Sequence, residues 1–318
     1  MTVCPNCGHS VAPEILVCPS CGSFIQLPLL QEFSRQAQEL EAVNPAEAAS
    51  YWRACLDLIP ADSSQAEMVR QRIAALESAA PSRVGYTWQT ALVRTGGSML
   101  VSILVYAFLL HPPLLAAGFV ILIFIHEMGH VIALRHYGIR SSPPLFIPFV
   151  GAVITVPRMR DAKEEAIVGI GGPVLGTIGA LACFAAWWIW FRQTGNQLLL
   201  VLSYFGFMLN ALNMLPIPPL DGGRVTAAVS PWIWPLGILA FVALLVTGYL
   251  PLGPVPILII LFSAPRLWRT FRDSKERNSP YYKISRAATW SIGAAYVLLT
   301  ALLLVMFLWT QYLARNVL

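Results

Sequence analysis

The sequence predicts an all-α polytopic membrane protein of about six or seven transmembrane segments, preceded by a small soluble part. Composition is the first reason. Of 318 residues, 57% are hydrophobic and 12% charged, against about a quarter charged in an ordinary soluble domain, and mean hydropathy is +0.64. Distribution is the second. Nine of the sixteen carboxylates stand in residues 1–84, which hold no apolar run long enough to span a bilayer. From about residue 92 the chain is long apolar segments broken by Pro, Gly and Arg. This excludes a disordered chain and a disulfide-stapled secreted domain. The net charge of +5 calls for no nucleic-acid partner, because loops on the inner side of a membrane collect Lys and Arg.

The soluble part divides at about residue 26. Cys4-Pro5-Asn6-Cys7 and Cys18-Pro19-Ser20-Cys21 are two CxxC pairs, each followed by Gly. Four thiolates so arranged close a tetrahedral site with no position left open, so Cys4, Cys7, Cys18 and Cys21 are expected to hold a structural Zn²⁺. Residues 1–26 thus resemble a short zinc ribbon, and the alternative is two disulfides or redox pairs. No signal peptide is expected, since the first CxxC stands where its apolar region would be. Residues 27–84 read as helical. Asn44-Pro45-Ala46-Glu47 opens a helix whose Trp52, Cys55, Leu56 and Ile59 form one apolar stripe ended by Pro60. Ser64-Gln65-Ala66-Glu67 reads as a capping box opening another, with Val69, Ile73 and Leu76 on one face.

Residues 85–318 form the membrane part. Spans are expected near 95–110, 114–136, 166–191, 197–215, 232–250, 252–264 and 287–309. The sixth is short, about 20 Å of helix against a core of about 30 Å. With the N-terminus inside, 19 of the 21 Lys and Arg fall on the inner face, leaving Arg192 and Arg315 outside. The N-terminal domain is therefore expected in the cytosol of a multi-pass protein, in a bacterial cell membrane. Residues 145–156 are apolar, too short and too Pro-bounded for a span. They are expected to form a short re-entrant β-hairpin, since non-helical backbone at that depth must be buried in protein or line a wet cavity.

Chemistry concentrates at the end of the second span, His126-Glu127-Met128-Gly129-His130. On a helix two histidines four apart share a face, so both can reach one Zn²⁺, while Glu127 lies about 100° round and is placed to hold a water. Outside Asp161, Glu164 and Glu165, read as loop carboxylates, the acids between residues 78 and 272 are Glu127 and Asp221. A catalytic two-histidine site needs a third protein ligand and an open position. Asp221 lies at comparable depth and can supply that ligand. The alternative is a turn-forming Asp-Gly paired with Arg224.

These residues resemble the site-2 protease family of intramembrane zinc metalloproteases. The likeness rests on His126-Glu127-x-x-His130, on Asn213-x-x-Pro216 followed by Pro219-Leu220-Asp221-Gly222, on Gly171-Gly172-Pro173, and on the loop from Pro144 to Gly151. It covers about residues 114–225. The resemblance implies that His126, His130 and Asp221 hold a catalytic Zn²⁺, that Glu127 activates its water, and that Asn213 contacts the substrate backbone or the developing oxyanion. Asn213 is read equally well as a helix-packing amide. The free edge of the hairpin, with Val150, Gly151, Ala152 and Val153, is expected to pair with an unwound substrate segment.

The function expected is hydrolysis of a peptide bond of a transmembrane protein near the cytosolic face, in contact with membrane lipids. A cytosolic regulatory protein at the N-terminal domain is a candidate partner. The rival reading is a non-proteolytic zinc-binding membrane scaffold or regulator.

Overall fold

A computed structural model describes residues 2–4, 6–12, 17–79, 88–139, 141–156, 159, 161–248, 253–272, 280–282 and 284–317. The chain forms two compact units, Met1–Gly85 and Tyr86–Leu318.

The first unit opens with β1 (Thr2–Val3) paired antiparallel to β2 (Ser10–Val11). Gly8 and Gly22, directly after the two CxxC pairs, take φ of 74° and 70°, a left-handed turn that favours glycine. Their N–H groups return to the carbonyls of Cys4 and Cys18, so the two knuckles are built alike. Helices α1 (Leu27–Leu40), α2 (Pro45–Leu56) and α3 (Ser64–Ala79) follow. The expected stripe is their core. Trp52, Cys55, Ile59 and Ile73 are buried, with Val69, Leu56 and Leu76 packed against the cluster. Burial pushes the Cys55 thiol up to about 11, so it belongs to the packing and not to thiol chemistry. The cap of α3 lies one residue earlier than expected. Ser63, not Ser64, accepts from the Ala66 N–H at 3.1 Å, because the turn after Pro60 brings the Ser63 N–H onto the Pro60 carbonyl.

Helices α4 (Trp88–Ala107), α5 (Pro113–His136), α6 (Ala162–Ala186), α7 (Leu198–Asn213), α8 (Asp221–Val229), α9 (Trp234–Val246), α10 (Pro254–Arg272) and α11 (Arg286–Val317) make up the second unit. Among the described residues four helical stretches are long and apolar enough to cross a membrane: Gln89–Ala107, Pro113–His136, Ala162–Phe191 and Arg286–Asn316. The third includes a π-helical turn, Trp187–Phe191. Leu198–Asn213 and Pro231–Val246 are apolar but shorter. Residues 254–264 of the sixth expected segment lie in α10, whose helix continues through Pro265 to Arg272. Glu165 is a correction. It is no loop residue but stands in the first turn of α6, buried, behind the N-cap Asp161, whose carboxylate accepts from the Glu164 N–H at 2.7 Å.

Helix α6 is central. It packs against α5, α7, α8 and α11, and Leu303 and Met306 of α11 close a core with Phe184, Leu200 and Phe207. Between α5 and α6, β3 (Leu145–Ile147) and β4 (Gly151–Val153) form an antiparallel hairpin.

Glu41 ties the three helices of the first unit together. It accepts from Trp52 Nε1 at 2.7 Å and takes both Arg72 Nε and Nη2, at 2.6 and 2.9 Å. The Arg72 guanidinium holds its carboxyl below the usual carboxylate range. A lowered folded pKa contributes stability above the ordinary value and loses it as the pH falls through the folded one. Glu41→Gln is therefore expected to cost about 1 kcal/mol, discounted for solvent exposure of the pair. Amide exchange in α2 reads this: the gap from wild type should be full at neutral pH and should close in acid below the folded pKa.

Candidate metal centre

Helix α5 delivers two imidazoles from one face, and His126 Nε2 and His130 Nε2 lie 3.2 Å apart. Asp221, the first residue of α8, brings Oδ2 to 3.2 Å from His126 Nε2 and 3.3 Å from His130 Nε2. All three residues are buried. A tetrahedral zinc ion with bonds of about 2.0–2.1 Å spaces its ligand atoms about 3.3–3.4 Å apart, so this triangle fits zinc. Three protein donors leave the fourth position open, the arrangement of a catalytic site.

The other ring nitrogens settle the tautomers. His126 Nδ1 is 2.8 Å from Asn210 Oδ1, and the Asn210 amide nitrogen donates to the Gly206 carbonyl at 2.7 Å. His130 Nδ1 is 2.8 Å from the Val168 carbonyl. Both partners accept, so each Nδ1 carries the proton and each Nε2 presents its lone pair to the shared point. Sequence reasoning missed Asn210, whose one signal there is an amide inside an apolar helix.

Absent side chains let these elements meet. A Cβ at Gly129 would fall on the Gly171 carbonyl oxygen, so α5 and α6 touch backbone to backbone. A Cβ at Gly172 would strike His130 Nε2 and lie 2.8 Å from His126 Nε2. Gly222 and Gly223 likewise let the first turn of α8 rest on the backbone of Met214 to Pro218, and Trp234 Nε1 donates to the Gly223 carbonyl at 3.0 Å. Asp221 is held where it is by that packing.

Glu127 sits beside the triangle, half-buried, and makes no hydrogen bond or ion pair among the described residues. Asn213, the last residue of α7, is half-buried. Its amide donates to the Leu209 carbonyl of its own helix at 3.2 Å, and one N–H remains for another acceptor. The two oxygens of Asp221 face different partners. Its Oδ2 faces the histidines while Oδ1 lies 3.6 Å from Arg224 Nη1.

The hairpin packs on α5 through Phe146, which is buried with Val120 and Ile123 and tilted against Phe124. Helix α4 grips its first strand. Thr95 Oγ1 donates to the Pro144 carbonyl, Ser98 Oγ accepts from the Phe146 N–H, and Tyr106 Oη from the Phe149 N–H. Phe149 takes φ of 68°, unfavourable for a bulky residue. Since the Phe146 N–H is committed to Ser98, the Phe146–Ala152 pair is a non-hydrogen-bonded one, and the N–H and C=O of Ala152 point away from β3. Val150, Gly151, Ala152 and Val153 are half-buried or exposed.

In the first unit Cys4 and Cys21 sulfurs are 3.6 Å apart, as are those of Cys7 and Cys18. All four lie within 4.8 Å of one another. Tetrahedral zinc–sulfur bonds of about 2.3 Å space sulfurs about 3.8 Å apart, so a zinc ion fits here too. Ser23 hydrogen bonds draw the Cys21 thiol down to about 6.

Residues 114–194 match peptidase family M50, and residues 1–24 match a zinc-ribbon domain. Among curated proteins the chain is similar to a zinc metalloprotease of Methanocaldococcus jannaschii, with 30% identity over 33% of this chain and 31% of that protein. It is also similar to stage IV sporulation protein FB of Bacillus subtilis, 31% identical over 33% of this chain and 36% of that protein. The chain thus spans about a third of the length of these two relatives.

Gly172→Ala tests the clearance around the histidines. The new methyl should displace the His130 ring and lower metal affinity of this site by at least about tenfold, leaving the four-cysteine site loaded. Metal content of the purified chain after dialysis against a chelator measures both.

Proposed function

We propose that this chain, whose membrane core belongs to the site-2 protease family, is an intramembrane zinc metalloprotease that hydrolyses a peptide bond of a transmembrane protein near the cytosolic face. The observation that carries this reading is the triangle of His126, His130 and Asp221, with Glu127 next to His126 on the same helix. Zinc bound there supplies Lewis acidity and a water whose pKa falls towards about 7. Glu127 accepts a proton from water as general base and passes it to the departing amine. Asn210 and the Val168 carbonyl keep both imidazoles turned towards the reacting point. Asn213 donates its free N–H to the substrate backbone or to the developing oxyanion.

A transmembrane helix hides its peptide bonds in its own i→i−4 hydrogen bonds. The outward edge of β4 receives the unwound segment as an added strand, with Ala152 supplying one donor and one acceptor. In this reading the hairpin is re-entrant. Helices α4, α5, α6 and α11 span, while α7 and the α9–α10 pair bring the total to six or seven segments. The charge distribution supports an N-terminus in the cytosol, and a bacterial cell membrane is the setting of this reading. The fold surrounds the core with exposed apolar side chains such as Leu104, Ile121, Leu239 and Val305, which suit contact with lipid.

Glu127→Gln keeps the metal ligands and removes the base. Cleavage of a single-span substrate by the purified variant is expected to fall by about 10²–10⁴-fold with zinc content unchanged. Full cleavage by this variant would remove Glu127 as the base, while a zinc-loaded wild-type chain that cleaves no such substrate would favour the non-proteolytic scaffold. Ala152→Pro removes the outward N–H without touching the inner ladder. It should raise KM for transmembrane substrates while the variant still binds zinc, and unchanged KM would remove the strand-addition idea.

A further inference from the structure

Beyond the three ligands, the site is bordered by a buried charge chain that the proposed reaction leaves unused. Arg224 of α8 lies with Nη1 3.6 Å from Asp221 Oδ1 and with Nε 3.5 Å from Glu165 Oε1. Glu165 also has both its oxygens 3.5 Å from Arg266 Nη2 of α10, and accepts from the Tyr281 hydroxyl. The side chains of Asp221, Glu165 and Arg224 are 9%, 12% and 21% exposed, so water screens these charges little. Four elements of the fold thereby converge on one carboxylate.

The distances carry the argument. A charge-assisted pair that closes fully does so at about 2.7–2.9 Å, and arginine prefers to grip both oxygens of one carboxylate. Arg224 does neither. It stands between two carboxylates at longer range, held back from Asp221 by Glu165. We infer that Glu165 and Arg224 are positioning residues that present Asp221 to the metal through one oxygen. Arg224 steadies Oδ1, which keeps Oδ2 turned to the histidines. Glu165 takes enough of the guanidinium to stop it from closing on both Asp221 oxygens and competing with the ion. This rests on the reading of the histidine–aspartate triangle as a metal site.

The inference makes the two residues antagonists, which simple packing partners would not be. Cobalt(II) in place of zinc lets the two sites of the full chain be titrated separately, since the four-cysteine site has thiolate charge-transfer bands that a nitrogen–oxygen site lacks. Glu165→Gln should free Arg224 to close on Asp221 and weaken cobalt binding at the membrane site by about tenfold. Adding Arg224→Gln to that variant should restore affinity to within about threefold of Arg224→Gln alone. If Glu165→Gln changes nothing, or costs the same tenfold with and without Arg224, Glu165 acts through Arg266 and Tyr281 packing and the inference fails. His126→Ala is the separate control. It must abolish the membrane-site bands, and their survival would overturn the metal-site reading itself, and the positioning role with it.

Discussion

One carboxylate oxygen meeting two imidazole nitrogens inside an apolar bundle is the interaction on which the rest of this structure depends. Polar groups buried in such a place are costly unless each finds a partner. Here every atom of the group outside the triangle has one: Asn210 for His126, the Val168 carbonyl for His130, Arg224 for Asp221. What remains is three lone-pair-bearing atoms aimed at a common point. Without a cation there, Asp221 would bring its charge out of water with little to offset it but the distant guanidinium. The geometry and the electrostatics thus demand the same occupant.

That demand explains the packing. Helices α5 and α6 approach closely enough to share backbone contact at Gly129 and Gly171, and the same closeness leaves room at Gly172 for two rings and nothing more. Small residues are the usual means of close helix approach in a membrane, where lipid is as apolar as leucine and contact area must do the work. Helix α8 is short because its task is local: it rests on Met214 to Pro218 and carries Asp221 at its first position. The hairpin follows the same economy. Helix α4 satisfies polar backbone of the hairpin with Thr95, Ser98 and Tyr106, and among the described residues no strand pairs with the outer edge of β4.

The first unit is organised by different forces. Its knuckles are shaped by two glycines with left-handed φ, its helices by a small apolar core around Trp52, and its charges by Glu41 between Trp52 and Arg72. These are the means of a small unit with a limited hydrophobic core, which a metal site of this kind can supplement.

The sequence by itself determined the class of the fold, the helical periodicities and most of the residues that the structure gathers as candidate metal ligands. Those are local properties: hydrophobic length, spacing of His126 and His130 along one helix, spacing within each CxxC pair. Short-range signals fared less well where a neighbour intervened, as at Ser63, where the preceding turn moved the cap. Only the tertiary structure decided which oxygen of Asp221 faces the histidines, that Asn210 orients His126, and that Glu165 is buried beside Arg224 and Arg266. Each joins residues from different helices, separated by as many as 101 positions for Glu165 and Arg266. Pairing over such separations is set by how small residues let helices approach, and no local pattern in the chain encodes it.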